Sequence, residues 1–239
     1  MKLEKALYDR SYLYFVAFFL FVLVAFWLTY VTKLFDQESY RMHLHGITLF
    51  VWCSLLIVQP FLIRQRKYIW HKRFGKFSYV LVPLLIITTV DLLHFRLGQN
   101  PLRTIDFFFS ALVLNALVGF LILYGLAIYN RKKPVIHARY MVSSVFLFFT
   151  PVTDRIISIF FPAMLKYFPT LDGSPIEALF GFLLADIMLI GLCIWDWRSH
   201  KRFTAFPIAL VILLLYHFSV LNFYKFEFWK SFTTWFVGQ

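Results

Sequence analysis

Seven long apolar runs divide this sequence and constrain its fold more than any other feature. Each run is long enough to cross roughly 30 Å of hydrocarbon as a helix that rises about 1.5 Å per residue. Hydrophobic residues make up 61% of the 239 positions, which is more apolar surface than one soluble core can bury. We therefore expect an all-α integral membrane bundle of seven transmembrane helices, forming a single domain over residues 1–239. The runs lie at about 12–32, 42–63, 76–96, 105–129, 138–161, 176–196 and 204–224.

The basic residues predict the orientation of this bundle. The formal net charge is +12, but the cations sit in short connections rather than along one exposed face, which excludes nucleic acid as the expected partner. The N-terminus and the connections near 64–76, 131–139 and 198–202 hold 16 of the 24 Lys and Arg residues. Because cytoplasmic segments carry such an excess, we expect a cytoplasmic N-terminus and an outer C-terminus. The aromatic segment 225–239 is then expected in the outer interface, against membrane lipids.

A short motif recurs at the expected cytoplasmic helix starts. It reads HKRF from His71, HARY from His137 and HKRF again from His200, with separations of 66 and 63 residues. The spacing predicts one helix followed by three helical hairpins, at about 42–96, 105–161 and 176–224.

Five side chains that can bind a metal fall at one expected depth near the outer face. Ionisable groups inside a membrane are costly and by default mark a functional site. Asp91 and His94 are spaced i, i+3, as carboxylate and histidine ligands are in di-metal helix bundles. We therefore predict a metal site, with His43, Arg155 and Asp186 as possible additional members. Its five ligands are His45, Asp91, His94, Asp154 and His217.

Three classes of function are compatible with such residues. Imidazole with carboxylate favours zinc or iron, and a metal-bound water would permit a metal-dependent hydrolase acting on a lipid-like substrate. A haem held between two histidines would instead indicate a redox or assembly protein. Asn115 and Asp186 lie nearer the expected bilayer centre, where polar groups can relay protons, so a small-solute or ion transporter is the third class. The alternative for any single residue is a polar tip at headgroup level or an Asp–Arg pair.

The cytoplasmic histidines form a second constellation, each followed two residues later by an arginine. A cation beside an aromatic residue at a helix end is typical of interfacial anchoring. The functional alternatives are an anion or lipid-headgroup site, or ligands of a second haem. The residues concerned are His71, Arg73, His137, Arg139, His200 and Arg202.

The pattern HLHG with Gln59-Pro60, then HKRFGK, then HARYM with Arg155 resembles a family of bacterial polytopic membrane proteins of unknown function. The match spans roughly residues 40–156, and it implies an inner-membrane location without implying a reaction. The residues at the family's characteristic positions are His45, His71, Gly75, His137, Met141 and Arg155. A looser similarity, in helix count and orientation, is to the seven-helix zinc hydrolases, although their paired histidines on the last helix are missing here.

Overall fold

A computed structural model describes residues 2–238 of the chain, and nearly all of them are helical. Seven stretches are long and apolar enough to cross a membrane, as the sequence predicts. The fifth stretch consists of two consecutive helices, and the last described helix is too short to span a membrane. The helices are α1 Leu3–Phe26, α2 Tyr40–Arg64, α3 Tyr68–Leu97, α4 Thr104–Tyr129, α5 Pro134–Ser144, α6 Phe149–Phe160, α7 Ala178–His200, α8 Ala205–Phe223 and α9 Glu227–Val237.

Several helix boundaries differ from those expected from the apolar runs. Helix α1 begins at Leu3 and ends at Phe26, so it lies closer to the N-terminus than the predicted 12–32. The third copy of the repeat does not open a helix, because His200 is the last residue of α7. The next residue, Lys201, has a left-handed backbone with φ of 53°, which ends α7 before the motif is complete.

The fifth span is interrupted by a 3₁₀ turn at Val145–Phe148. Pro151 lies just beyond this turn. Proline has no N–H to donate to the carbonyl of Leu147, and its ring crowds that carbonyl, so a regular α-helix does not continue through this point. The polar residues of α6 therefore follow a break in the helix.

The chain divides into two compact units, of which the first ends at Leu93. Within it, α1 packs along α2, and the Tyr8 hydroxyl donates to the Ile63 carbonyl at 3.4 Å. Helices α2 and α3 are joined by buried polar contacts, including a 3.1 Å hydrogen bond between the Thr48 and Thr88 hydroxyls.

The second unit begins at His94 and contains α4 to α9. Helix α4 packs against α5 and α8, and α7 packs against α6 and α8. Two short strands, Thr170–Leu171 and Ser174–Pro175, form a hairpin in the connection between α6 and α7. The Asp172 carboxylate at its tip accepts from the Ile105 N–H at 3.1 Å, which caps the start of α4.

Helix α9 folds back onto α4. The indole N–H of Trp229 donates to the Phe107 carbonyl at 3.1 Å, and Ser110 and Thr233 share a fully buried hydrogen bond at 3.0 Å. The segment expected in the outer interface is thus a helix fixed to a membrane-spanning neighbour.

Candidate functional site

A histidine and an aspartate meet inside the membrane-spanning part of the second unit. Nδ1 of His217 on α8 lies 3.3 Å from Oδ2 of Asp186 on α7, which is within ion-pairing distance, although the two atoms do not form a hydrogen bond. The His217 side chain is buried at 8% exposure, and that of Asp186 is 21% exposed. The pair thus holds titratable groups in surroundings of low dielectric constant.

The surroundings of the pair are mostly aromatic. The His217 ring stacks on Phe182 with centroids 4.0 Å apart, and the Tyr216 ring lies 5.1 Å away. Within the second unit no lysine or arginine nitrogen lies within ion-pairing distance of Asp186. Its second carboxylate oxygen, Oδ1, is buried and makes no hydrogen bond among the described residues. The net charge of the pair is therefore set by protons rather than by a fixed cation.

The pair lies in the outer half of both helices, given the orientation predicted from the basic residues. Asp186 is eight residues after Ala178, the first residue of α7, which is about 12 Å along the axis. His217 is six residues before Phe223, the last residue of α8, or about 9 Å. Two residues further along α8, on a different side of the helix, the Ser219 hydroxyl accepts from the Asn115 amide of α4 at 2.9 Å.

Asp154 lies on α6 of the same unit, six residues before Phe160, the last residue of that helix. One of its carboxylate oxygens, Oδ1, is buried without a hydrogen-bond partner among the described residues. Its carboxylate interacts electrostatically with Glu177 and Arg155. Arg155 also donates from Nη1 to the Pro151 carbonyl at 2.9 Å.

In the first unit, His45 and Asp91 belong to a row of polar contacts between α2 and α3. The Asp91 carboxylate pairs with Nε of Arg41 at 3.0 Å, and Nδ1 of His45 lies 3.3 Å from the Thr89 hydroxyl. These contacts are the interhelical partners that a polar group in a membrane requires. The arginine pair matches the alternative that sequence reasoning gave for a lone aspartate.

His43 is held at the start of α2. Its Nε2 donates to the Gln37 carbonyl at 2.8 Å, so in the neutral ring Nδ1 accepts from the Tyr30 hydroxyl at 3.1 Å. Burial raises the pKa of Tyr30 above its ordinary value, which keeps this hydroxyl a donor. The Tyr30 ring fits here because residue 46 is glycine, where a Cβ would lie 2.8 Å from the ring.

His94, a predicted ligand in the second unit, packs instead against an aromatic ring. Its ring meets Phe236 of α9 edge to face, with centroids 5.4 Å apart.

The predicted metal ligands are not assembled into a recognisable centre in the described part of the chain. Within residues 2–238, no group of three or more His, Cys, Asp or Glu side chains is arranged to hold a metal ion. His45 and Asp91 belong to the first unit, whereas His94, Asp154 and His217 belong to the second. The five-ligand site thus stays a prediction from spacing.

Arg139, a member of the predicted cytoplasmic anion site, is buried and paired with a carboxylate. Its side chain is 1% exposed, and two of its nitrogens contact the two Asp196 oxygens at 2.6 Å each. A guanidinium buried against a carboxylate cannot reach a headgroup or a soluble anion. His200 shares the same carboxylate, with Nδ1 3.4 Å from Asp196 Oδ1.

The other members of that set contact nearby parts of their own unit. His137 donates from Nδ1 to the Ala127 carbonyl at 2.8 Å, and the Arg73 guanidinium lies over the Trp70 ring at 5.2 Å. The Gln59 side-chain amide lies between α2 and α3. Its oxygen accepts from the Gly75 N–H at 2.8 Å, and its NH₂ group donates to His71. Arg202 lies in the connection after α7.

Sequence reasoning missed one residue and one pairing. Asp196 was not singled out, although an aspartate between two tryptophans near a helix end is unusual in an apolar run. The meeting of Asp186 with His217 was also missed, although their positions contained a signal. Asp186 is 14 residues before the end of α7, and His217 is 12 residues after the start of α8, so antiparallel packing brings them to similar heights.

These features define the class of protein. The chain is an all-α integral membrane protein with seven helices of membrane-spanning length. No model of a protein family matches it, and no curated protein and no solved structure matches it either. The resemblance to a bacterial membrane family therefore stays a prediction.

Proposed function

We propose that this protein is an ion transporter that carries protons across the membrane, and that His217 and Asp186 hold the proton during its passage. The observation behind the proposal is the 3.3 Å contact between these two side chains within membrane-spanning helices. Ionisable residues at such depth characterise proton relays in pumps and transporters.

The chemistry of the pair suits a proton carrier. An imidazolium with a carboxylate and a neutral imidazole with a carboxylic acid have the same net charge, and each holds one exchangeable proton. Loss of that proton leaves a net negative charge in an apolar environment, which is costly. The pair therefore tends to regain a proton, so each proton that it releases is replaced by another.

The absence of a fixed cation beside Asp186 within its unit supports this role. Asp196 and Asp91 each face an arginine, which neutralises the carboxylate without a proton. Asp186 faces a histidine, whose charge changes in the physiological pH range when its surroundings permit. Of these three aspartates, Asp186 is thus the one suited to gain and lose a proton.

The same proposal includes the membrane in which the protein works. The bacterial resemblance and the cation-rich connections favour the inner, or plasma, membrane, with the outer half of α7 and α8 towards the outside. Metal-dependent hydrolysis and haem binding remain predictions from residue spacing, and no contact among the described residues favours either.

Proton flux in reconstituted vesicles tests this function. Purified protein is placed in phosphatidylethanolamine–phosphatidylglycerol vesicles that contain a pH-sensitive dye, and a potassium gradient with valinomycin drives proton entry. We expect faster acidification than in protein-free vesicles, and at least a tenfold loss of this flux in both Asp186→Asn and His217→Gln.

A matched control is Glu227→Gln, which removes an exposed carboxylate paired only with Lys230 at the start of α9. This variant should keep the parent flux. The proposal is wrong if the parent protein is no faster than empty vesicles, or if Asp186→Asn conducts as well as the parent.

A further inference from the structure

We propose that the ion pair between Arg139 and Asp196 is the cytoplasmic gate of this proton path, and that the gate is closed in the structure described here. The inference rests on the proposed function. Nε and Nη2 of Arg139 each lie 2.6 Å from one carboxylate oxygen of Asp196, a two-point contact that fixes α5 to α7. Both side chains are almost completely buried, at 1% and 3% exposure.

A third helix meets the same pair. The Phe206 ring of α8 is fully buried and lies 5.8 Å from the Arg139 guanidinium. His200 at the end of α7 lies 3.4 Å from Asp196, and Arg139 also donates to the Val135 carbonyl at 2.9 Å. Helices α5, α7 and α8 are thus held together around one buried carboxylate.

The pair lies between the proton carrier and the cytoplasm. Asp196 is ten residues beyond Asp186 on α7, which is about 15 Å along the axis towards the cytoplasmic end. Leu189 and Leu213 lie between these levels, with 0% and 1% exposure. A proton on His217 therefore has an apolar layer and then the ion pair between it and the cytoplasm, so α7 and α8 must separate there for it to pass.

A buried ion pair is better suited to a gate than to a structural contact that never opens. Burying both charges costs several kcal/mol per ion, which is about what their mutual attraction returns. When water enters, both charges regain hydration, so the closed and open states are close in free energy. Apolar side chains in the same places would favour the closed state, because opening would expose them to water.

Replacing the pair by apolar residues separates a gate from a structural contact. In the double variant Arg139→Met, Asp196→Leu, we expect an unchanged or higher melting temperature in detergent and at least a tenfold loss of proton flux. If the pair were only structural, the variant would fold and conduct like the parent, and that result would overturn the gate.

A thiol-labelling assay tests the gate without relying on flux. Leu189→Cys is introduced after Cys53 and Cys193 are both replaced by alanine, and a charged thiol reagent is added to the purified protein. We expect slow labelling of the introduced cysteine when Arg139 and Asp196 are both present, and at least tenfold faster labelling when Asp196→Asn is added. The Arg139→Met, Asp196→Leu variant should again be labelled slowly.

Equal labelling in the folded Asp196→Asn variant and its parent would overturn the gate. If Asp196→Asn does not fold, the proton flux of the Arg139→Met, Asp196→Leu variant decides whether the ion pair is a gate. Absence of flux in the wild-type protein would refute the proposed function instead, and the labelling result would still decide whether this contact opens.

Discussion

Stability and function place opposite demands on Asp186. Its Oδ1 is buried without a hydrogen bond among the described residues, and leaving a buried polar group unsatisfied costs about 1–3 kcal/mol. Residues that lower stability in this way are retained where activity depends on them. Replacing Asp186 should therefore harm the activity without harming the fold.

We predict that Asp186→Asn leaves the free energy of unfolding unchanged within about 0.5 kcal/mol, or raises it, because the uncharged amide is cheaper to bury than a carboxylate. Thermal unfolding in detergent, followed by tryptophan fluorescence, measures this. A large loss of stability would show that Asp186 holds α7 and α8 together, and the loss of flux in this variant would then need another explanation.

Asp196 should behave in the opposite way. Asp196→Asn leaves the buried Arg139 guanidinium without its carboxylate, a change that typically costs about 3–5 kcal/mol. The same unfolding measurement should show a strongly lowered melting temperature. A melting temperature equal to that of Asp186→Asn would contradict the buried ion pair.

Sequence reasoning at this scale found the polar residues but not all of their partners. His45, Asp91 and His217 were all singled out, because ionisable residues in apolar runs are conspicuous. Their partners depend on how far each helix is rotated about its axis. That rotation is set by packing against neighbours, and the uniformly apolar faces of these helices do not encode it clearly.

The crossing of α6 and α7 depends on a single glycine. A Cβ on Gly181 would lie 2.6 Å from the Thr153 hydroxyl and 2.9 Å from the Thr150 Cα, closer than real contacts allow. Small residues permit such close approach of membrane helices. This contact positions Asp154 and the start of α7 relative to each other.

We predict that Gly181→Ala lowers the free energy of unfolding by about 1–3 kcal/mol, because the helices must move apart. Gly191→Ala on the same helix is the matched control, since nothing lies within 4 Å of the added Cβ. It should be neutral or stabilising by up to about 1 kcal/mol, as expected from helix propensity. Equal effects at both positions would contradict the close crossing.

The existence of each membrane-spanning helix was predictable, but several helix ends were not. Apolar length identifies a span, whereas α3 extends eight residues before the predicted start at 76, through a polar stretch that includes His71 and Lys72. The third copy of the repeat, HKRF from His200, does not begin a helix, because the backbone at Lys201 is left-handed. A four-residue sequence motif does not determine the backbone conformation.

Seven spans place the two ends of the chain on opposite sides of a membrane. With 16 of the 24 Lys and Arg residues at the N-terminus and in alternate connections, the N-terminus should be cytoplasmic. Alkaline phosphatase fused after α9 should be active, since that enzyme requires the oxidising outer compartment, whereas a fusion in the connection at 131–133 should be inactive. An inactive fusion after α9 with an active fusion at 131–133 would reverse the orientation. The outer positions assigned to Asp186 and His217 would then be wrong.

The sequence did not predict which helices pack against one another. Three similar hairpins were expected, whereas the contacts divide the chain at Leu93 into two compact units, with the last four residues of α3 in the second. Lipid-facing and helix-facing surfaces are both apolar here, so hydropathy identifies spans without identifying neighbours. Only the polar residues carry information about contacts, and they are few.

Nitrogen NMR of histidine-labelled protein in vesicles tests the central claim most directly, with His217→Gln to assign the signal. Because protons are proposed to reach this pair from the outside, the imidazole of His217 should change protonation when the external pH is lowered. Asp186→Asn should shift this response. A His217 signal that ignores the external pH would contradict proton exchange at this pair.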